Sequence, residues 1–294
     1  MPVTAHTRFS VGSLSKPVFA YGVLNLVDAG KLKLNEPLAP YLPSEFTKRD
    51  PRFNQITARF VLSHRTGFPN WPGDGKPLTI HFTPGERFSY SGAGMVFLQI
   101  AIEKITGEKL NDYMQEPVFG PLGMKHSSYV WKTAFERDVA VGHKASGVAV
   151  ELSKAEQANA ASSLETTAED YAIFLVAVLS GEGLQPSTLR EMETPQIAVD
   201  PGCINCVERA GSGKLSAEMF WGLGFGIEKT TEGETLWHWG DYGVFKSFFA
   251  VRPGTKSGVV YLTNSENGLS IGPQIVADSL GGSQPAFEWL KSDQ

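Results

Sequence analysis

Ser13 and Lys16 stand three residues apart in FSVGSLSKPVF, where a polar turn gives way to an apolar run. On a helix, residues i and i+3 share a face about one turn apart, so the lysine nitrogen falls beside the serine hydroxyl. A serine hydroxyl is a weak nucleophile and needs an adjacent base. Lysine serves as that base only when burial lowers its pKa, because a low-dielectric surrounding disfavours the ammonium. A helix N-terminus adds free amides and a dipole that favour developing negative charge. The same two residues also fit a structural part, with Ser13 capping the helix and Lys16 reaching to solvent.

The elements that must position them follow from the apolar pattern. PVFAYGVLNLVD, residues 17–28, is apolar on nearly every face and predicts a buried central helix stopped near Gly30. Pro17 removes a backbone donor and biases Lys16 away from helical geometry, so the helix is expected to begin close to Ser13. KLKLNEPLAPYLP reads as an extended connection, and ITARFVLS (56–63) as a short helix. AGMVFLQIAIEKITG is a second apolar helix ended by Gly107, and KLNDYMQEPVF a third, amphipathic one. Thr166 and Glu169 stand at capping-box spacing before the helix AEDYAIFLVAVLS, which Gly181 ends.

After residue 215 the texture changes. MFWGLGFGIEK, ETLWHWG, VFKSFFAVRP and SGVVYLTNS are short β-branched and aromatic runs bounded by turn residues, which predicts consecutive antiparallel strands. GLGFG (222–226) has no helix after it, so it reads as strand with close backbone approach rather than a phosphate loop. GPQIVADSLGG is expected to form a helix on that sheet. This order predicts an α+β class, with a helical lobe inserted into a sheet lobe. The expected division of the single domain 1–294 is a sheet lobe of residues 1–55 plus 215–294 and a helical lobe of residues 56–214.

Composition narrows the function classes. The chain has 294 residues, 41% of them hydrophobic, and a formal net charge of −5. With no basic run, nucleic acid is not an expected partner. No apolar run is long enough to span a bilayer, and MPVTAHTRFS lacks the apolar core of a signal peptide. The expected compartment is the cytoplasm for the chain as given, or periplasmic or secreted if a leader has been removed. Cys203 and Cys206, in PGCINC, have no histidine beside them, so no metal site and no cofactor is expected; they read as free or locally bridged thiols. The loop from Pro195 to Gly213 that carries them is expected between the lobes.

Two further stretches join Ser13 and Lys16. Tyr90 lies in FSYSG just before an apolar helix, and His238 and Gly240 lie in LWHWGDYG on a strand. With LSHRTG and TPGERFSYSG, these stretches in this order resemble the serine β-lactamases and penicillin-binding-protein-like hydrolases, class C β-lactamases and their esterase and D-aminopeptidase relatives above all. The resemblance runs from about Phe9 to about Ser265. It implies a β-lactamase-like fold, an antiparallel sheet flanked by helices with an inserted all-helical lobe. It also implies Ser13 as acylated nucleophile, Lys16 as the residue that takes its proton, Tyr90 as proton relay, and His238, at the start of an H/K-x-G motif on the strand lining the site, as a fourth catalytic residue. The backbone amides of Ser13 and Asp241 match the two oxyanion donors. His64 in LSHRTG matches a motif that shapes a helix end and is assigned no chemistry.

Three positions depart from the β-lactamase pattern: Gly92 replaces the asparagine of Y-x-N, Trp239 a hydroxyl residue, and His238 a lysine. With Gly240 and Asp241, Gly92 and Trp239 are the expected substrate-binding positions. Lost polar partners and added aromatic surface favour small apolar acyl groups, so a short-chain ester is the expected substrate, with weak β-lactam hydrolysis. A class C-like β-lactamase, a D-aminopeptidase, and a sensor acylated without turnover are the alternatives. Only 12 residues precede Ser13, so the sheet is expected to be short at its N-terminal side, leaving an edge that a homodimer would close.

Overall fold

The computed structural model describes residues 2–151, 153–212, 214–215 and 217–291; Gly213, the far end of the cysteine loop, lies outside them. Its centre is a six-stranded sheet, antiparallel throughout: β1 (Ile197–Ala198), β2 (Glu218–Trp221), β3 (Gly226–Thr230), β4 (Gly233–Tyr242), β5 (Phe245–Arg252) and β6 (Ser257–Thr263). Strand order follows chain order, as the short runs separated by turn residues predict. The β4–β5 register pairs Trp239 with Phe248 and Gly240 with Ser247. Among the described residues β6 pairs only with β5.

Alternation along the strands divides their side chains between two cores. Leu236, Phe249 and Val251 join the large core around the central helix α1 (Ser15–Asp28), α2 (Gly92–Thr106) and α3 (Ala168–Ser180). Trp237, Phe248 and Ala250 join a second, aromatic core with Phe88 and Trp221. Val276 of α5 (Gly272–Leu280) and Trp289 of α6 (Pro285–Lys291) complete that second core. Another helix, α4 (Pro186–Glu193), precedes β1. The segment PAFEWLK, silent in the sequence reading, is thus a helix that the aromatic core holds in place.

The central helix is buried on nearly all sides, as its composition requires. A 3-10 turn over Gly12–Leu14 precedes it, so Lys16 is fully helical rather than displaced by Pro17. Proline is tolerated there because the first-turn amides have no intrahelical partner anyway. KLNDYMQEPVF is broken, with a short α-turn over Leu110–Tyr113 running into a π-turn over Gln115–Phe119 that contains Pro117. GLGFG corrects in part: residues 222–225 form the turn between β2 and β3, and the strand resumes only at Gly226. Gly224 has φ +94°, and a Cβ there would lie 2.4 Å from Ala20 Cβ on α1, so the close approach itself is present.

The cap of α3 also corrects. Thr167, not Thr166, accepts the Asp170 N–H at 3.1 Å. Thr166 instead pairs with Phe9 in a two-stranded ladder and shares a 2.7 Å hydrogen bond with Ser127. That ladder, Phe9–Ser10 with Glu165–Thr166, enters the serine turn directly: Val11 N–H donates to the Leu164 carbonyl at 3.1 Å. No helix among the described residues is long and apolar enough to cross a membrane, and no cluster of metal-ligating side chains occurs among them.

Candidate active site

Three pieces of backbone converge on Ser13. The Gly12–Leu14 turn packs on β4, where Gly240 comes so close that a Cβ would lie 2.1 Å from the Val11 carbonyl oxygen. Ser247 Oγ donates to that same carbonyl at 3.2 Å, fixing the turn from β5. Ser15 Oγ donates to the Gly12 carbonyl and accepts the Leu164 N–H at 3.0 Å. Together these bonds present Ser13, half-buried, at the floor of a cavity of about 500 Å³.

Lys16 is buried within α1, and its Nζ donates to Ser13 Oγ at 2.8 Å and to the Ala161 carbonyl at 2.8 Å. It also lies 4.8 Å from the centre of the Tyr90 ring. Burial without a carboxylate partner pushes the Lys16 ammonium well below the ordinary lysine range. Tyr90 is pushed upward by burial and pulled partly back by Ser13, so it stays a neutral phenol; its hydroxyl closes no well-formed hydrogen bond. Tyr90, distant in sequence, is therefore brought to the Ser13–Lys16 pair.

Behind Tyr90 lie two buried imidazoles. The His64 ring centre is 4.4 Å from that of Tyr90, and its Nδ1 accepts the Ser91 N–H at 3.1 Å. This clamps the backbone just after Tyr90, at the N-cap of α2, where Ser91 Oγ accepts the Gly94 N–H. His64 sits at φ +53°, consistent with a helix-end residue, but its contact with Tyr90 was not foreseen from sequence. His238 is 6.0 Å from Tyr90 and 5.4 Å from Trp221, centre to centre, with Nδ1 2.7 Å from the Trp239 carbonyl. It is fully buried and does not line the cavity. Burial above all holds both histidines well below the ordinary imidazole range, so both are neutral.

The cavity is lined by Ser13, Tyr90, Trp239 and Asp241 of the expected residues. Gly240 forms the backbone contact described above. Gly92 touches the cavity wall rather than lining it: its N–H donates to Asn70 Oδ1 at 2.8 Å, and a Cβ would lie 2.6 Å from the Trp71 ring. The remaining walls were missed: Asn70 and Trp71, Ser162, Ile204 and Asn205, Tyr242, Leu269 and Leu290. An exposed tryptophan in the proline-rich stretch FPNWPGDG was the one available signal. Among the described residues, Asp241 is the only charged one in the lining, and Lys246 pairs with it at 2.6 Å. Cys203 and Cys206 are joined by a disulfide, which selects the bridged alternative.

Comparison with known proteins bears on the fold and the family. PbpX of Bacillus subtilis (strain 168), a protein named for penicillin binding, is 24% identical over 284 residues, 90% of this chain; the chain spans 64% of that relative's length. The octameric penicillin-binding protein homologue from Pyrococcus abyssi superimposes with a TM-score of 0.78 at 24% identity, over 97% of this chain and 68% of its own. A class C beta-lactamase mutant gives a TM-score of 0.75 at 19% identity, over 95% and 85%. The fold is thus β-lactamase-like, as the ordered motifs imply. The family model described as Beta-lactamase matches residues 1–274, and the chain belongs to that family.

Proposed function

We propose that this chain hydrolyses short-chain carboxylic esters through an acyl-enzyme on Ser13. The observation that carries the reading is the lining of the cavity. Among the described lining residues the only charged side chain is a carboxylate already paired with Lys246, and Trp71, Trp239, Tyr242, Leu269 and Leu290 supply apolar surface. A carboxylate-bearing β-lactam would meet a carboxylate there whose partner Lys246 is already engaged, whereas a neutral ester carries no charge to desolvate.

The chemistry follows from the contacts. Neutral Lys16 takes the Ser13 proton across 2.8 Å as Oγ adds to the ester carbonyl. The backbone N–H groups of Ser13 and Asp241 are the proposed donors to the oxyanion. As the intermediate collapses, the proton passes from Lys16 by way of Tyr90 to the leaving alkoxide. Water then attacks the acyl-enzyme and gives its proton to Lys16, which returns it to Ser13 Oγ as the acyl bond breaks and the carboxylic acid leaves. His64 and His238 hold Tyr90 from behind without exchanging protons.

The decisive experiment compares a short-chain nitrophenyl ester with a chromogenic cephalosporin, with Ser13→Ala as control. Ester turnover that vanishes in Ser13→Ala and exceeds the cephalosporin rate is expected. A faster cephalosporin rate would replace this reading with a β-lactamase, and a stoichiometric burst without turnover with a sensor. The edge of β6, unpaired among the described residues, supports a homodimer; a monomer in size-exclusion chromatography would remove it.

A further inference from the structure

The CINC segment is not absorbed by the acyl-transfer chemistry, yet it forms part of the cavity wall. Between its cysteines, Ile204 and Asn205 both line the cavity. The Ile204 carbonyl accepts the backbone N–H of Tyr90 at 2.9 Å. Two more contacts run along the same segment: Arg87 Nη2 donates to the Val207 carbonyl at 3.0 Å, and His81 Nδ1 lies 3.3 Å from Glu208 Oε1. The base of the loop is tied down independently, since Trp289 Nε1 donates to the Asp200 carbonyl at 2.9 Å. The disulfide therefore spans the tip that contacts Tyr90, not the base of the loop.

We infer that Cys203–Cys206 is a thiol–disulfide exchange site, open to a dithiol reductant, whose reduction releases Tyr90 and lowers acyl transfer. Cys203 is half-buried and Cys206 buried, so the attacking thiolate meets the Cys203 sulfur. The S–S bond breaks and Cys206 leaves as thiolate, taking up a proton. The second thiol of the reductant then closes on the mixed disulfide and frees Cys203. Two electrons and two protons pass from the dithiol to the protein, and the dithiol ends as a disulfide. Without the bridge, the two-residue span between the cysteines loses its closed ring, and the carbonyl of Ile204 is no longer held at the Tyr90 amide. A displacement of about 1 Å at a proton-relaying group costs roughly tenfold to a hundredfold in rate.

The test uses the whole chain. Dithiothreitol reduces it, gel filtration removes the reagent, and mass spectrometry under alkylation counts the free thiols. Hydrogen exchange at the Tyr90 amide is then compared between the two states, alongside nitrophenyl ester turnover. Faster Tyr90 exchange and a tenfold or greater fall in kcat/KM, both reversed by glutathione disulfide, are expected. A Cys203→Ala/Cys206→Ala variant should match the reduced protein and ignore reductant. Unchanged Tyr90 exchange with both thiols free would overturn the proposal, as would equal, measurable turnover in the two states. The turnover arm rests on the ester reading, but the exchange arm does not. Faster exchange with no turnover in either state would leave the exchange site standing and remove the ester reading.

Discussion

Lys16 Nζ lies 2.8 Å from Ser13 Oγ, and the amine that makes this contact is buried with no carboxylate among its hydrogen-bond partners. The absence of an acidic partner decides its chemistry. A buried lysine beside a carboxylate stays charged, whereas burial alone favours the neutral amine that can accept the serine proton.

That assignment fixes the pH dependence. The Lys16 ammonium is inactive as a base, and its pKa lies well below the ordinary lysine range because of burial. kcat/KM for a nitrophenyl ester should therefore rise with pH and level off well below pH 10. Lys16→Arg, which cannot shed its proton, should lower kcat/KM by about 100-fold to 10,000-fold at neutral pH. A profile flat from pH 5 to 9 would remove Lys16 as the base.

Ser13→Ala should remove ester turnover by at least about a thousandfold while leaving the thermal midpoint near that of the parent. Ser13 accepts one hydrogen bond, from Lys16, and its side chain is only half-buried, so little packing is lost. Intact-protein mass spectrometry after ester exposure checks the same point, since only the parent should carry the acyl group.

Gly240→Ala tests the contact between β4 and the serine turn. A Cβ there meets both the Val11 carbonyl and Ser247 Oγ at 2.1 Å, so one of them must move. The expected cost is about 3 kcal/mol or more in denaturant unfolding, with ester activity lost in the fraction that still folds. Wild-type stability in this variant would mean that the turn is not seated on the strand.

Gly92→Ala tests a softer wall. The new methyl displaces the Trp71 ring, which is 46% exposed, so stability should change by less than about 1 kcal/mol. The ester KM should rise several-fold because the Trp71 wall moves. A fall in kcat at unchanged KM would count against a binding role for that wall.

Glu165, beside Ser10 at the entry to the serine turn, titrates near 7 because burial raises it above 4.5, offset partly by the Ser10 hydroxyl. Its folded form holds a proton that its unfolded form has lost between those two values. The stability it contributes is therefore present below about pH 4.5 and lost as pH rises through about 7. Glu165→Gln should flatten that part of the stability curve by up to about 3 kcal/mol, measured by urea unfolding from pH 4.5 to 8.

Much of the scaffold was readable from residue patterns, because those patterns are local. The all-round apolar run of the central helix and the turn-bounded strands after 215 each fix their own conformation. Ser13 and Lys16 meet through helical spacing alone. The cap of α3 was placed one residue early because TTAED offers two threonines, each three residues before an acid. Only pairing with Phe9 removes Thr166 from the contest. The cavity walls were hidden for a related reason. Trp71, Asn205, Leu269 and Leu290 come from four loops and helix ends that share no periodicity and meet only after the two cores assemble.

The aromatic core behind Tyr90 has an optical consequence. Trp237 lies 5.7 Å from Trp221, 6.1 Å from Trp239 and 5.8 Å from Trp289, centre to centre, and Trp239 lies 4.6 Å from Tyr90. Indoles this close exchange excitation, so their near-ultraviolet dichroism and emission belong to the group rather than to single residues. With Trp239 and Tyr90 forming one wall of the cavity, the protein carries an unlabelled chromophore whose spectrum should change when a ligand touches that wall.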